Sequence, residues 1–141
     1  MNKAWRALML PSSSGVTNAR SMALIFGELA AGGGVLLPRD ALDRALETEP
    51  EPVMDEFLGL PLSFTNAGWC TNLGAGFALD SDAGWVGWTG AGGSVVLFSV
   101  KTGTSFAYAP ARLVEGFPCA NAFRVARAVH RDRLMAQTAK L

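Results

Sequence analysis

The chain has 141 residues, of which 50% are hydrophobic and 17% are charged, and its 12 basic and 12 acidic side chains give a formal net charge of zero. This composition argues against a disordered chain and against a basic nucleic-acid-binding surface, and the length suits one ordinary domain. The apolar run at 7–10 is too short for a signal-peptide core, and no run approaches the ~20 residues of a membrane span. We therefore expect no nucleic-acid or membrane partner and favour a cytoplasmic location.

The first third of the chain has helical periodicity. Thr17 or Asn18 can cap a helix, because either side chain can accept a hydrogen bond from the first turn. The apolar positions of this helix recur every three or four residues: Met22, Ile25, Phe26, Leu29 and Ala30. Three glycines at 32–34 end it, and a second helix is predicted over 40–47. Residues 1–50 are therefore predicted to be a helical segment.

The pattern after residue 52 is typical of strands and turns. Short apolar runs separated by glycines predict strands at 57–64, 76–79, 94–100 and 104–108. The turn between the last two, 101–103, is predicted to be a hairpin. Helical periodicity returns over 119–140. Helices, an antiparallel meander over 53–110 and a closing helix together predict an α+β fold.

The glycine-rich segment 87–94 (GWTGAGGS) is the strongest candidate for a ligand-contacting loop, because glycine lets backbone N–H groups approach a ligand closely. A dinucleotide-binding loop needs G-x-G-x-x-G leading into a helix. Gly90 and Gly92 supply the first two glycines, but Val95 occupies the third position and a β-prone run follows. A phosphate-binding G-x-x-x-x-G-K-[ST] motif does not occur either. We therefore expect no nucleotide and no other cofactor.

The sequence offers two candidates for a Lys-Thr-Gly-like element. The literal triad at 101–103 matches the Lys-Thr-Gly element of serine β-lactamases, but it falls at a predicted hairpin tip. Trp88, Thr89 and Gly90 have small residues and then a strand after them, which is the context such an element requires. We interpret the literal triad as a chance match. Neither element is accompanied by a serine or threonine nucleophile that a lysine could activate, because no Ser or Thr in the sequence is followed three residues later by Lys.

The remaining chemical side chains predict structure rather than catalysis. His130, the single histidine, is expected on a solvated face of the last helix, and Cys70 and Cys119 are expected to be reduced, half-buried thiols. One histidine and two distant cysteines predict no metal site. The aromatic residues at 69, 77 and 85 are expected to pack in the core or at its rim. Trp88 is the exception, because it occupies the first position of the candidate site element.

From about residue 4 to 134, the chain resembles the C-terminal part of the β-lactamase-related serine hydrolases, the class C β-lactamase-like esterases. Segment 87–94 is the most specific match, since it is similar to the family's His-Thr-Gly-Ala-Gly-Gly-Ser. The loop and helix at 11–21, the turn at 32–38 and the runs at 58–62 and 74–77 follow in the family's order. The resemblance implies that residues 1–141 form one partial domain of the β-lactamase and penicillin-binding-protein-like fold.

The resemblance also assigns roles to individual residues. It places the backbone N–H of Ala91 as an oxyanion donor, and it places Thr89 and Gly90 on the substrate-binding strand. Trp88 stands where the family has His or Lys, so the charge or proton carrier that the family uses to anchor substrate at this position is absent. The family's Ser-x-x-Lys and Tyr-x-Asn motifs are both absent from these 141 residues.

The resemblance therefore predicts a C-terminal fragment of a serine hydrolase that cleaves a small ester or amide, and that is inactive alone because the N-terminal half is missing. The alternative is a non-catalytic remnant that acts as a binding or self-association module. Either way, we expect an uncovered sheet edge, which favours association. A nucleotide-binding module is the third hypothesis.

Overall fold

A computed structural model describes residues 3–12, 15–49, 51–73, 79, 81–115 and 119–138. Its helices are α1 (Lys3–Ala7), α2 (Ala19–Ala30), α3 (Arg39–Leu46) and α4 (Ala120–Thr138), with a short 3₁₀ helix at Ser81–Ala83. Its strands are β1 (Val53–Asp55), β2 (Leu60–Leu62), β3 (Val86–Thr89), β4 (Val95–Ser99) and β5 (Thr104–Tyr108). Helices, antiparallel strands and a closing helix follow in this order, so the α+β prediction is confirmed.

Helix α2 begins and ends where the sequence signals predict. The Asn18 side chain accepts a 2.9 Å hydrogen bond from the Ser21 N–H, so Asn18 is the N-cap. At the other end, the Gly33 N–H donates to the Glu28 carbonyl at 3.0 Å, which satisfies a carbonyl of the last turn. Glycines that adopt positive φ make this exit possible.

The main sheet has three antiparallel strands in the order β3-β4-β5. Alternation along β4 sends neighbouring side chains to opposite faces of this sheet. Leu97 packs in one cluster with Phe123 of α4, whereas Phe98 packs in a second cluster with Leu29 of α2. The sheet therefore lies between α2 and α4, and both of its faces are covered by a helix.

A smaller hairpin precedes the main sheet and corrects one prediction. The expected strand at 57–64 is partly wrong, because only Leu60–Leu62 is a strand and it pairs with Val53–Asp55. The Asp55 carboxylate accepts hydrogen bonds from the Phe57 and Leu58 N–H groups at 3.0 and 2.7 Å. These bonds stabilise a turn instead of an extended chain. Most of the predicted strand at 76–79 lies outside the described residues.

A short connection links the small hairpin to the main sheet. The Thr65 N–H donates to the Trp69 carbonyl at 2.8 Å, which closes a turn after β2. Cys70 and Gly87 then exchange both backbone hydrogen bonds, at 2.8 and 3.0 Å, so Cys70 lies beside β3. Strand β3 therefore has a neighbour on each side at Gly87.

Candidate functional site

The glycine-rich segment forms the tight loop between β3 and β4. The Gly90 N–H donates to the Ser94 carbonyl at 2.8 Å, and the Gly93 N–H donates to the Gly90 carbonyl at 3.0 Å. The Thr89 hydroxyl donates to the same Ser94 carbonyl at 3.2 Å. Loop 90–94 is therefore closed by its own hydrogen bonds before any ligand is considered.

The segment that follows β5 makes a second contact with this loop. The Val114 N–H donates a 3.1 Å hydrogen bond to the Gly92 carbonyl. Gly92 and Gly93 have φ of +104° and +102°, and a Cβ on Gly93 would lie 2.5 Å from Cγ2 of Val114. Only glycine combines this conformation with so close an approach. The small residues that marked the segment in the sequence are therefore required by its packing.

Ala91 lies exposed at the outer end of the loop. Its N–H makes no hydrogen bond to another described residue. The Gly90 and Gly93 N–H groups of this loop are engaged within it, whereas the Ala91 N–H is available, as an oxyanion donor must be. The role of Ala91 remains a prediction, because a donor becomes catalytic only beside a nucleophile and a substrate carbonyl.

The three predicted substrate-binding residues line one cavity. Trp88, Thr89 and Gly90 lie around a pocket of about 170 Å³ that opens to solvent, and the other lining residues are Met22, Ser94, Val95 and Val96. The Thr89 side chain itself is only 1% exposed and bonds within the loop. The Thr89 hydroxyl therefore stabilises the loop beside the cavity and is not free to bind a ligand.

Trp88 is held at this cavity by aromatic packing. Its ring lies 5.4 Å from the ring of Phe64, measured between centroids, with an interplanar angle of 47°. Trp88 belongs to β3, a strand that the apolar runs did not predict and that only the family resemblance indicated, at Thr89 and Gly90. Val86 and Trp88 alternate with Gly87 and Thr89, which is the signal that could have found it.

Met22 is the cavity residue that the sequence could not assign to the site. It was predicted only as one apolar position of α2, and 66 residues separate it from Trp88. Its place in the cavity depends on the packing of α2 against β4 and β5, which periodicity alone does not specify.

The literal Lys-Thr-Gly triad lies away from this cavity. Residues 101–103 form the hairpin turn between β4 and β5, with Gly103 at φ +60° and Lys101 exposed. The Thr102 N–H donates to the Ser99 hydroxyl at 3.0 Å, which stabilises the turn. The hairpin prediction is confirmed, and no residue of the triad lines the cavity.

One expectation about a side-chain environment, that for His130, needs correction. His130 is not fully solvated: it is half-buried, and its ring packs edge-to-face against Trp85 at 5.7 Å between centroids. Trp85 is itself only 7% exposed, as the core prediction requires. Phe77 lies outside the described residues.

The two cysteines are free thiols, as predicted, but they are more buried than expected. Cys70 is 1% exposed and Cys119 is 4% exposed. Burial raises the pKa of the Cys70 thiol, and backbone hydrogen bonds around Asn72 offset part of this rise. A protonated, inaccessible thiol is a poor nucleophile, so Cys70 is a structural residue.

Other ligand classes find little support in the described part of the chain. Loop 90–94 leads into strand β4, so it has no helix N-terminus behind it to hold a phosphate. Among the described residues, His, Cys, Asp and Glu side chains do not gather in groups of three or more that could hold a metal ion. No described helix is both long and apolar enough to span a membrane.

The helix–sheet–helix arrangement and the strand-loop-strand site define an α+β protein with the architecture of part of a penicillin-binding-protein-like domain. One solved structure with this architecture is a novel penicillin-binding protein (PBP) homolog from Caulobacter crescentus. The two match with a TM-score of 0.76 and 25% sequence identity, over 88% of this chain and 34% of that chain. The chain therefore spans about a third of the length of that protein. No protein-family model and no curated protein matches the sequence.

Proposed function

We propose that this chain supplies the C-terminal part of a β-lactamase-like serine hydrolase domain, in which strand β3 forms a wall of the substrate site. The parent reaction is acyl transfer from an ester or amide to a serine, followed by hydrolysis. The observation that carries the proposal is the N–H of the exposed residue Ala91, which has no hydrogen bond to another described residue. Its setting in a fold shared with a penicillin-binding protein homolog adds to the support.

The chemistry follows from what an acyl-transfer transition state requires. As the nucleophile attacks, the carbonyl oxygen gains negative charge, and a positioned N–H stabilises it by roughly 3 kcal/mol. Hydrogen bonds at Ser94 and Val114 hold loop 90–94 in one conformation. Little conformational entropy is therefore lost when the Ala91 N–H binds the developing oxyanion. Rigid placement of this kind is what an oxyanion donor needs.

The nucleophile must come from polypeptide outside these 141 residues. No Ser or Thr in the sequence has Lys three residues later, and the single tyrosine, Tyr108, is followed by Ala-Pro instead of x-Asn. We therefore expect the purified chain to hydrolyse neither p-nitrophenyl butyrate nor nitrocefin above the buffer rate. Turnover by the purified chain that survives replacement of each serine by alanine would contradict the mechanism.

The role of Ala91 is tested in a chimera that restores the missing part of the domain. This chain replaces the matching third of the Caulobacter penicillin-binding protein homolog, and acylation by the neutral ester p-nitrophenyl butyrate is measured as the burst of released p-nitrophenolate. Replacing the Ala91 amide by an ester, through incorporation of lactic acid, removes the N–H and also weakens the Gly90 carbonyl as the acceptor of the Gly93 N–H. We expect acylation to slow by about 100-fold.

The matched control for this experiment is Lys101→Ala. Lys101 belongs to the literal Lys-Thr-Gly triad and lies at the exposed hairpin tip, so this variant should acylate at the unchanged rate. Equal rates for the Ala91 ester variant and the unmodified chimera would overturn the assignment. A loss with Lys101→Ala as large as with the ester would move the site to the hairpin.

A second candidate function is self-association through strand β5. Its side away from β4 has no paired strand among the described residues, and its sequence, TSFAY, has no charge and no proline to discourage pairing. This candidate predicts a discrete oligomer by light scattering. It also predicts that the amides of Thr104–Tyr108 exchange more slowly with solvent at high protein concentration, while those of α4 do not change.

A further inference from the structure

The cavity beside β3 has one apolar wall from the helical layer and another from the sheet. Met22 of α2 faces the end of β3 and the start of β4, where Trp88 and Val96 are paired strand neighbours. Alternation places Val96 on the α2 side of the sheet, since Phe98, two residues further along β4, packs in the α2 cluster. Trp88, the strand partner of Val96, lines the cavity and also packs against the cluster of Leu97 and Phe123. The cavity is therefore bounded by a thioether, an indole and a branched aliphatic side chain.

The position of Met22 is fixed by contacts that do not involve the cavity. The Ser105 hydroxyl donates a 2.7 Å hydrogen bond to the Ala23 carbonyl, so α2 is tied to β5 one residue beyond Met22. One helical turn further on, a Cβ on Gly27 would lie 3.4 Å from the same hydroxyl, which shows how closely helix and strand approach. The cavity is therefore present before a ligand arrives.

Two of the polar hydrogens at the cavity are already used within the loop, and the cavity has no charged group to hold an anion. The Thr89 hydroxyl and the Gly90 N–H both donate to the Ser94 carbonyl. None of the described residues that line the cavity is Lys, Arg, His, Asp or Glu. A carboxylate placed here would lose part of its hydration to the apolar walls without gaining a counter-charge, which is unfavourable.

The volume indicates the size of the group that the cavity walls can surround, since the cavity itself opens to solvent. The cavity measures about 170 Å³. An apolar cavity of about 150 Å³ in another protein holds one benzene molecule. Methionine adapts its shape to irregular apolar ligands, so Met22 can close around groups of slightly different form.

We propose that this cavity binds a small, uncharged, apolar group, such as a short acyl chain or a phenyl ring, and that it disfavours carboxylates. The identification of this group with the acyl part of an ester rests on the proposed function. Trp88 is then a residue that favours neutral over anionic groups, because its indole lines the cavity with an apolar surface that carries no positive charge.

The proposal is tested by binding, without any catalytic step. The chain is labelled with ¹³C-methyl methionine and ¹⁵N-indole tryptophan and titrated with methyl butanoate, and in parallel with butanoate at pH 7. We expect saturable shifts of the Met22 methyl and Trp88 indole signals with the ester, and affinity at least about 10-fold weaker for the anion. Absent shifts, or equal affinities, would overturn the proposal.

Two variants and one control sharpen this result. Trp88→Lys, observed through the Met22 methyl, should reverse the preference in favour of butanoate. Met22→Lys, observed through the Trp88 indole, should do the same, and Lys at the partly exposed Met22 tests the idea if the first variant does not fold. Leu24→Ala, on the exposed side of α2 at 67% exposure, should leave both affinities unchanged.

The outcome also separates this proposal from the proposed function. Selective binding of the neutral ester by the chain, together with unchanged acylation in the Ala91 ester chimera, would leave a small-molecule site and remove the oxyanion role. Shifts spread over all five methionines and four tryptophans would indicate nonspecific binding and contradict the proposal.

Discussion

The hydroxyl of Ser105 donates a 2.7 Å hydrogen bond to the carbonyl of Ala23, 82 positions earlier in the chain. This bond joins the outer strand β5 to the middle of α2, where the Ala23 carbonyl also belongs to the helix. It fixes the helix along its axis, whereas apolar packing alone would allow sliding. The cavity at Met22 depends on this alignment.

Replacing Ser105 by Ala should reduce the free energy of unfolding by about 1 kcal/mol, because one part-buried hydrogen bond is lost while the helix keeps its own bonds. Urea unfolding followed by far-UV circular dichroism measures the change. Ser12→Ala, in an exposed turn, is the control and should stay within about 0.5 kcal/mol of the parent. Equal stability of both variants would show that the bond does not contribute.

Substitution by alanine should affect stability very differently at Gly87, in strand β3, and at Gly103, in the turn between β4 and β5. A Cβ on Gly87 would meet the Val96 carbonyl oxygen and lie 2.9 Å from Cα of Leu97, so the main chains of β3 and β4 would have to separate. We expect Gly87→Ala to cost more than about 3 kcal/mol. At Gly103, with φ +60° and nothing within 4 Å of a Cβ, alanine should cost only about 1–2 kcal/mol.

Thermal unfolding of both glycine variants decides this prediction. The Gly103 variant should fold with a modestly lower midpoint, whereas the Gly87 variant should be largely unfolded or insoluble. Comparable midpoints would mean that β3 and β4 are not packed as closely as the structure places them.

The sequence left Thr17 and Asn18 as alternative N-caps of α2, and their hydrogen bonds distinguish them. Asn18 accepts a hydrogen bond from the Ser21 N–H, while the Thr17 hydroxyl donates only to the neighbouring Asn18 carbonyl at 3.4 Å. Asn18→Ala should therefore destabilise the chain by about 1 kcal/mol, and Thr17→Ala by a few tenths at most. Chemical unfolding of the two variants side by side is the measurement; the reverse order would assign the cap to Thr17.

The buried Cys70 thiol should make stability depend on alkaline pH. Burial raises its pKa above the ordinary value of 9.0, so the unfolded chain releases this proton at lower pH than the folded chain does. The stabilising contribution is complete below pH 9.0 and is lost as the pH rises towards the folded pKa. The loss is at most about 1.4 kcal/mol per pH unit.

Urea midpoints between pH 7 and 10 test this pH dependence. Cys70→Ala removes the titrating group, so its stability should decline less steeply with pH than that of the parent, even though it starts lower. Parallel curves for the two proteins would assign the alkaline decline to other groups.

Local signals in the sequence predicted the elements whose ends depend on short-range chemistry. The cap at Asn18, the glycine exit after α2 and the hairpin at 101–103 all rest on hydrogen bonds or φ preferences within a few residues. Such effects are encoded locally, so periodicity and turn chemistry find them. The α+β class followed from the order of these elements.

Features that depend on tertiary contacts escaped prediction. The strand expected at 57–64 is interrupted because the Asp55 carboxylate captures two backbone N–H groups, and apolar content alone does not reveal this capture. Met22 reaches the cavity only because α2 docks on β4 and β5. The site strand and its glycines were predicted from a motif, whereas the opposite wall requires the assembled fold.

Gly87 has a paired neighbour on each side, with Leu97 in β4 and the exchanged backbone bonds of Cys70 on the other. Loop 90–94 and its cavity lie at the end of this same strand. In the described part of the chain, β5 at the opposite side has only β4 beside it. A further strand would therefore meet the Cys70 bridge beside β3, whereas no described residue stands in its way beside β5. The two margins of this sheet thus differ in their openness to another strand.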